Sequence, residues 1–332
     1  MFKFIEENGH RKVQLKTDLM SHEHQEQLRV IELLYSRDTF VCAYDNRKEL
    51  RPKKDRTCRF CGKSYPEVKF KNVSHLIPEL MGNEYYLSDF ECDSCNSKFG
   101  VYENDLAYFF GSFLAVSGIM GKTKVPKFKS NDRHIVIHQN PPYLDIEFND
   151  AEYFKQNIGY DRKNDIQRIN YYKNPFTPLN VYKSFLKIAL SRIHESDLPN
   201  LKETIKFLNG ENEYGELEKN SFFTIHKFFI PGNFNNEPIV LSFKKKQEFE
   251  KYPAPTHLFI IQIRNIIYQI FIPFHKSDMF FFEPKQERKF FIVPPFVPES
   301  WTKQFGGPFS EYVNLGSNIR TKGQKGGIEY KY

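Results

Sequence analysis

The chain has 332 residues, with 48 lysines and arginines against 41 aspartates and glutamates, so its formal net charge is only +7. This length allows one large domain or two smaller ones with a sizeable core. Five cysteines in so long a chain exclude a disulfide scaffold, and an apolar content of 40% excludes a disordered chain. The mild positive charge permits a nucleic-acid partner without requiring one.

The first 56 residues are predicted to be a helical and linker segment. Leu28, Ile31 and Leu34 share one face of an amphipathic helix from about residue 21 to residue 35. The polar and basic stretch 45–57 is interpreted as a linker or as a strap that contacts phosphate.

We recognise no targeting or membrane segment. The chain start lacks the apolar region of a signal peptide. The most apolar stretch, 258–274, contains Arg264 and could not span lipid without burying that charge. It is better explained by two strands joined at an Arg264-Asn265 turn. We therefore expect a protein of the reducing cytoplasm that makes no membrane contact.

Four of the five cysteines form two Cys-x-x-Cys pairs, Cys58 with Cys61 and Cys92 with Cys95. Such a turn presents two thiolates to one ion, so two turns complete a tetrahedral zinc site. Four unrelated buried cysteines are the alternative, and the paired spacing disfavours it. Cys42 is expected to be a small buried apolar residue.

Charges are segregated around these pairs. Residues 47–71 are mainly basic, residues 75–120 are acidic with Lys98 as their one lysine, and a lysine cluster follows. An acidic centre between basic flanks suits a divalent cation beside a phosphate backbone, although ordinary solvated surface gives the same pattern. The candidate nucleic-acid contacts are Lys53, Lys54, Arg56, Lys122, Lys124 and Lys127.

Between the pairs, alternating apolar residues over 68–77 predict a strand that ends near His75, followed by a loop at Gly82-Asn83. A helix is predicted from about residue 94 to residue 110. Asn96 and Glu103 share one face of this helix, because they are seven residues apart. Another face of the helix is apolar and consists of Phe99, Tyr102, Leu106 and Phe110.

The order Cys-x-x-Cys, strand, Ser-His-Leu-Ile-Pro-Glu, Gly-Asn, Cys-x-x-Cys-Asn resembles HNH endonucleases, in the branch with a zinc-bound ββα-metal fold. The resemblance covers about residues 57–130 and includes Phe99-Gly100 and the Lys122-Thr-Lys-Val-Pro126 segment. It implies a nuclease domain with a structural zinc closed by four sulfurs and a catalytic Mg²⁺ or Mn²⁺ ion.

The resemblance also assigns roles. His75 matches the general base that activates water to attack a phosphodiester, and Asn96 matches the helix residue that helps to hold the catalytic ion. Without those roles, His75 would be a structural histidine whose hydrogen bonds are made within the protein, and Asn96 would be the N-terminal cap of the helix.

Two positions depart from the family pattern. Ser74 stands where many members have an acidic metal ligand, and Leu87 stands where many have an asparagine that orients the histidine. The candidates to replace these groups are Glu103, Glu79 and Asp89 as the second metal ligand, and Asn83 as the group that orients His75.

Residues 131–332 are predicted to form an α+β domain with a mostly antiparallel, aromatic sheet. Helices are expected over 179–194 and 201–208, and the Gly- and Lys-rich tail from about 316 is expected to be flexible. Strands are expected over 134–138, 143–148, 222–230, 239–243, 257–263, 266–274, 279–282 and 290–294.

We therefore expect a metal-dependent HNH endonuclease that cuts DNA. A role in bacterial restriction or anti-phage defence is suggested only by analogy with other HNH proteins. The C-terminal domain would choose the target, bind a protein partner or an activating ligand, or restrain the nuclease. One alternative is a non-catalytic zinc module that binds nucleic acid or protein, which the Ser74 and Leu87 departures favour. Another is an effector nuclease that stays silent until a partner or ligand engages residues 131–332.

Overall fold

The computed structural model describes residues 2–7, 10–15, 22–41, 50–212, 214–215, 217–230, 237–282, 293, 295–296 and 310–331. Cys42 and most of the strand expected over 290–294 lie outside them. The described α-helices are α1 His22–Leu34, α2 Asp93–Phe110, α3 Phe113–Val116, α4 Ala151–Asn157, α5 Pro178–Arg192 and α6 Lys202–Asn209. The described strands are β1 Phe2–Glu7, β2 His10–Leu15, β3 Tyr35–Val41, β4 Ser74–His75, β5 Leu87–Ser88, β6 Phe128–Lys129, β7 Ile135–Asn140, β8 Tyr143–Phe148, β9 Ile158–Asp161, β10 Ile166–Tyr172, β11 Thr224–Phe229, β12 Ile239–Lys245, β13 His257–Ile263, β14 Ile266–Phe271, β15 Ser310–Asn314 and β16 Lys325–Lys331.

A six-stranded sheet in the order β15-β11-β14-β13-β12-β3 forms the largest layer. Its central strands β13 and β14 are buried along their whole length, which explains their almost continuously apolar sequence. Arg264 lies between them with a φ of 53°, so the expected Arg264-Asn265 turn joins the two strands. All strand pairs of the described residues are antiparallel, and the predicted α+β class is confirmed.

Helix α5 is the layer between this sheet and α2, and its residues from 181 to 191 are all buried. Pro178 stands at the first helical position, where the missing N–H would have no partner within the helix. The Phe185 ring lies 5.0 Å from that of Tyr268 in β14 and 6.5 Å from that of Phe110 in α2. The predicted helix over 179–194 is confirmed, and α6 ends as expected at Gly210, which is left-handed with a φ of 69°.

The strand predicted over 68–77 is wrong for most of its length, because only β4 pairs with a neighbour, β5. The backbone N–H groups of Lys71 and Asn72 donate to the Asp93 carboxylate at 3.1 and 2.9 Å. Since a side chain already satisfies these donors, this stretch needs no strand partner.

The strand predicted over 279–282 is also wrong, since Lys276–Phe282 form a 3₁₀ helix. The buried Asp278 carboxylate accepts hydrogen bonds from the Thr256 N–H at 2.8 Å and hydroxyl at 2.7 Å. These bonds hold the chain in a turn, although the phenylalanines alone favour a strand. The other predicted strands within the described residues are present, with ends shifted by a few residues.

The flexible tail expected from about residue 316 is not what the structure shows. Strand β16 pairs with β10 from Lys325 to Lys331. A Cβ atom on Gly326 would lie 2.7 Å from the Tyr171 ring, so glycine lets the strand lie directly against an aromatic side chain. The glycines that predict flexibility here allow close packing instead.

One hydrophobic core joins the N-terminal, cysteine-rich and C-terminal segments, with Leu34, Phe99 and Tyr268 among its members. The domain limits at 57 and 131 stay a prediction. No helix of the described residues is long and apolar enough to cross a membrane.

A buried carboxylate, Asp197, connects the segment after α5 to the six-stranded sheet. Its Oδ2 lies 2.7 Å from His257 Nε2 and 2.8 Å from Lys244 Nζ, and its Oδ1 accepts from Asn200 at 2.9 Å. Burial alone would raise the pKa of Asp197. Hydrogen bonds from His257, His275 and Lys244 outweigh it and hold that pKa well below its usual range.

Asp197→Asn should lower the free energy of unfolding by about 3 kcal/mol, because buried His257 and partly exposed Lys244 would lose their charged acceptor. Urea denaturation followed by circular dichroism measures this. The control Asp55→Asn changes an exposed side chain and should shift the value by less than about 0.5 kcal/mol. Equal stability of both variants would contradict the role given to Asp197.

Candidate active site and metal centre

Four sulfur atoms meet beside the start of α2. The Sγ atoms of Cys58, Cys61, Cys92 and Cys95 lie within 4.8 Å of one another, and all four thiols are free. Those of Cys61 and Cys92 are 3.8 Å apart. Two sulfurs bound to one tetrahedral zinc ion at about 2.3 Å are also about 3.8 Å apart, so the spacing fits zinc.

Two backbone turns bring the cysteine pairs together. Gly62 has a left-handed φ of 71°, and its N–H donates to the Cys58 carbonyl at 2.8 Å, which closes the first Cys-x-x-Cys turn. Cys92 caps the start of α2, and Cys95 lies in the first turn of that helix. The Arg59 N–H donates to the Phe90 carbonyl at 2.8 Å and joins the first turn to the second.

The electrostatics of the thiols also fit a cation. A hydrogen bond from Cys95, aided by backbone N–H groups, lowers the pKa of Cys58 to about 5. Burial and the charge of Cys58 raise the pKa of Cys61 to about 11. The thiols therefore oppose each other's ionisation unless a cation lies among them. Four sulfurs leave no open ligand position, which is typical of a structural zinc site.

His75 lies on β4, the first strand of a ββα unit made by β4, β5 and α2. Its side chain is 19% exposed, and its Nε2 is 3.4 Å from Glu79 Oε1. Burial lowers the pKa of His75, and the charges of Lys187 and Lys122 lower it against the opposing effect of Glu79 and Glu103. The imidazole is therefore neutral at neutral pH, with acidic and basic side chains around it.

Lys187 of α5 holds the backbone of His75. Its side chain is 1% exposed, and its ammonium group donates to the His75 carbonyl oxygen at 2.7 Å. It also lies 3.2 Å from Glu91 Oε2 and 3.4 Å from Glu103 Oε1. Burial raises the pKa of Glu91 to about 7 against the pull of Lys187. A buried ammonium needs such partners, because an unpaired charge away from water is costly.

Helix α2 supplies the remaining candidates near His75. Glu103 faces the same space as His75, since it contacts Lys187 and raises the pKa of His75. Asn96 lies in the first turn of α2 and is half-buried. Its side-chain amide makes no hydrogen bond within the part of the chain that the structure describes, so it is available to a ligand.

Asn83 has a structural role rather than the expected contact with His75. Its amide donates to the carbonyl oxygens of Ile77 and Tyr86, and its Oδ1 accepts from the N–H groups of Tyr85 and Tyr86. Asn83 therefore closes the loop that follows His75 and orients the histidine only through the backbone.

Asp89, another candidate metal ligand, pairs with Arg51. The Arg51 Nε lies 2.8 Å from one carboxylate oxygen and a terminal guanidinium nitrogen 3.2 Å from the other. This bidentate pair anchors the segment before Cys58. Glu79 and Glu103 are the carboxylates whose charges act on His75.

The basic candidates before the first cysteine pair differ in exposure. Lys53 and Lys54 are exposed in a 3₁₀ turn. Arg56 is buried, and its Nε donates to the Arg51 carbonyl oxygen at 2.8 Å. Arg56 therefore stabilises the backbone at Arg51. Its charge predicts a phosphate ligand on the surface, and its burial does not fit that role.

The second basic group lies in the loop before β6. Lys122, Lys124 and Lys127 are all exposed. The charge of Lys122 lowers the pKa of His75, which places this lysine within electrostatic reach of the imidazole. This loop therefore borders the His75 site.

A second group of ligand-type atoms lies in the C-terminal part, where those of Asp197, His257 and His275 are within 4.8 Å of one another. By distance these residues could hold a metal ion. However, the Lys244 ammonium is 2.8 Å from Asp197 Oδ2. The Ser277 N–H donates to His275 Nδ1 at 3.2 Å, so a neutral ring carries its proton on Nε2, the atom facing Asp197. A hydrogen-bonded network explains this cluster better.

Sequence reasoning missed Lys187. Its one signal is that Lys183 and Lys187 interrupt an apolar helical pattern four residues apart. The pattern does not show that α5 is buried on all sides, because burial of its polar face depends on α2, which is distant in sequence.

Residues 58–104 match the family model described as HNH endonuclease. No curated protein and no solved structure gives a significant match. The matched range contains both cysteine pairs, His75 and Asn96, and it coincides with the ββα unit and its sulfur cluster. The match points to nuclease activity. The cysteine-rich segment of this chain is therefore similar to HNH endonucleases, and its four-cysteine cluster is consistent with the branch that carries a structural zinc site.

Proposed function

We propose that the chain is a metal-dependent endonuclease that hydrolyses phosphodiester bonds in DNA, with His75 as its general base. The observation that supports this most directly is the surroundings of His75. A neutral, partly exposed imidazole on a ββα unit lies within the field of Glu79, Glu103 and Lys122. A role in bacterial restriction or anti-phage defence extends the proposal by analogy.

In the proposed mechanism, Glu79 keeps a proton on His75 Nε2, from which it is 3.4 Å away. The other ring nitrogen, Nδ1, then accepts a proton from the attacking water. Since burial lowers the pKa of His75, the ring is ready to accept this proton at neutral pH. Lys187 keeps the His75 backbone in place through the carbonyl oxygen.

Asn96, with Glu103 or Glu79, would hold a divalent ion, because amide and carboxylate oxygens suit Mg²⁺ and Mn²⁺. Such an ion supplies positive charge to the phosphate and to the leaving oxygen. The exposed Lys122 and Lys124 would bind neighbouring phosphates and orient the backbone. The zinc held by the cysteines would have only a structural role.

We assign residues 131–332 two tasks. The first is to support the nuclease segment, since α5 carries Lys187. The second is recognition of a target, a protein partner or an activating ligand, which would make the nuclease silent until that contact forms.

A non-catalytic zinc module that binds nucleic acid or protein is the second candidate. Ser74 favours it, because this residue is buried and its hydroxyl lies 3.5 Å from the Glu91 carbonyl oxygen, so it is not an acidic ligand beside His75. This alternative requires salt-sensitive DNA binding without metal-dependent nicking.

Zinc removal should unfold the cysteine-rich segment. The wild type should contain one zinc per chain by inductively coupled plasma mass spectrometry, and Cys58→Ser should lose most of it together with its cooperative thermal transition. Asp197→Asn should keep the zinc, because that residue belongs to the other cluster. If Cys58→Ser kept its zinc and Asp197→Asn lost it, the metal would lie at the cluster of Asp197, His257 and His275, and the assignment to the cysteines would be wrong.

His75→Ala should slow Mg²⁺-dependent plasmid nicking by at least about 100-fold, which is the lower range for loss of a general base. Zinc content and circular dichroism should remain those of the wild type. The control His138→Ala removes an imidazole that pairs with Glu147 on another sheet, and it should nick normally. Equal rates for the two variants would rule out His75 as the base.

Lys187→Met should lower kcat for nicking by about 100-fold, because a displacement of about 1 Å at the catalytic group can have that effect. KM for DNA should change little, since Lys187 is buried and does not reach the substrate. Lys183→Met is the matched control, because this lysine lies one turn earlier on α5, 4.8 Å from the Phe207 ring centroid. A natively folded Lys187→Met variant with normal kcat would contradict the positioning role.

A further inference from the structure

A cavity of about 520 Å³ lies where three parts of the fold meet, and we call it the junction cavity. The ends of α2 and α3, the three-stranded sheet β9-β10-β16 and the six-stranded sheet all line it. Its lining residues all follow residue 104, so it is separate from the HNH motif. The volume lies within the range of small-molecule sites, about 300–1,000 Å³.

Aromatic side chains make up much of the wall. Phe109 and Phe113 come from the helical side, Tyr171 from β10, and Phe229 and Tyr268 from the six-stranded sheet. Rings on several sides of one cavity offer flat apolar surface to a planar molecule. An ordinary hydrophobic core would fill such a space with side chains.

Two lysines and two acidic residues line the junction cavity, but within the described part of the chain one of the lysines has no acidic partner. Its lysines are Lys173 and Lys227, and its acids are Glu311 and Glu329. Lys227 pairs with Glu311 at 2.6 Å, and Glu329 pairs with Arg168 at 2.8 Å. Both acids are therefore engaged, and Lys173 has no ion pair or hydrogen bond from its ammonium group among the described residues.

Burial lowers the pKa of Lys173, and the charge of Lys227 lowers it further against Glu311. The Lys173 side chain is half-buried, so its ammonium group is partly withdrawn from water, and the described residues give it no acidic partner. An anion in the cavity would supply the missing negative charge and form a charge-assisted hydrogen bond.

A second polar group is also available. Asn265 lies in the turn between β13 and β14, and its side-chain amide makes no hydrogen bond within the ranges that the structure describes. A side-chain amide can donate and accept hydrogen bonds, so it could bond to a hydroxyl group or to a polar ring edge of a bound molecule.

We propose that the junction cavity binds a small organic anion with an aromatic body. The phosphate or carboxylate group lies at Lys173, and the ring packs among Phe113, Tyr171 and Phe229. The volume suits a molecule up to the size of a mononucleotide and excludes a nucleic-acid duplex. The proposal does not depend on nuclease activity, because no catalytic candidate lines the cavity.

Isothermal titration calorimetry of the full chain tests this with three aromatic anions: phenyl phosphate, 4-hydroxybenzoate and AMP. Each is compared with an uncharged analogue, namely phenol, 4-hydroxybenzamide and adenosine, and inorganic phosphate supplies the charge without a ring. At least one anion should bind with a Kd below about 1 mM and at least about ten-fold more tightly than both its analogue and phosphate. The preferred anion distinguishes a phosphate from a carboxylate ligand.

Lys173→Met should weaken that binding by at least about ten-fold, while Lys173→Arg should largely keep it, because the charge remains. Lys163→Met is the matched control on the same sheet, where the lysine is exposed in the β9–β10 turn, and it should bind as the wild type does. Circular dichroism verifies that each variant is folded. No saturable binding of any of the three anions, or equal binding by a folded Lys173→Met variant, would overturn the proposal.

Discussion

The ammonium group of Lys187 connects the two principal parts of this protein. It lies on α5, in the C-terminal part, and binds the carbonyl oxygen of His75 in the HNH segment. Other hydrogen bonds across the same boundary run in both directions. Arg59 donates to the Leu190 carbonyl at 2.8 Å, and Asn209 donates to the Phe60 carbonyl at 2.7 Å. The HNH segment is thus built onto α5 as part of one structure.

This dependence follows from size. The matched segment, 58–104, has too few residues to bury a sufficient core of its own, since domains near that size commonly need a metal or another partner. The four cysteines supply one constraint and the apolar face of α2 supplies the other. Phe99 and Phe110 of that face belong to the same core as α5 and the six-stranded sheet. A zinc ion held by these cysteines would therefore act together with helix packing on one small unit.

Local patterns in the sequence predicted much of the architecture. The cysteine spacing, the helix over 94–110 and the strands around Arg264 depend on neighbours in sequence, and the structure contains them. The errors come from distant contacts. The Asp93 carboxylate accepts a hydrogen bond from the Lys71 N–H, and the Asp278 carboxylate accepts one from the Thr256 hydroxyl.

For the candidate site too, features that depend on neighbours in sequence were predicted, and features that depend on distant contacts were not. The family motif places His75 and Asn96 on one ββα unit, but the motif does not contain Lys187. Arg56 and Asp89 carry charges suited to phosphate and metal, yet the fold uses them in contacts with Arg51. A residue's charge is local information, whereas its exposure depends on the whole fold.

The position of β3 has a consequence for how the protein is made. This strand precedes the HNH segment, and it pairs with β12, about 200 residues later in the chain. Along the chain, the HNH motif therefore lies between two paired strands of one sheet, and its supporting helix α5 also comes after it. A ribosome that has released only the first half of the chain has made all the proposed catalytic side chains but neither Lys187 nor the pairing strand. Because such distant contacts form late, assembly of the site is tied to synthesis of the C-terminal part.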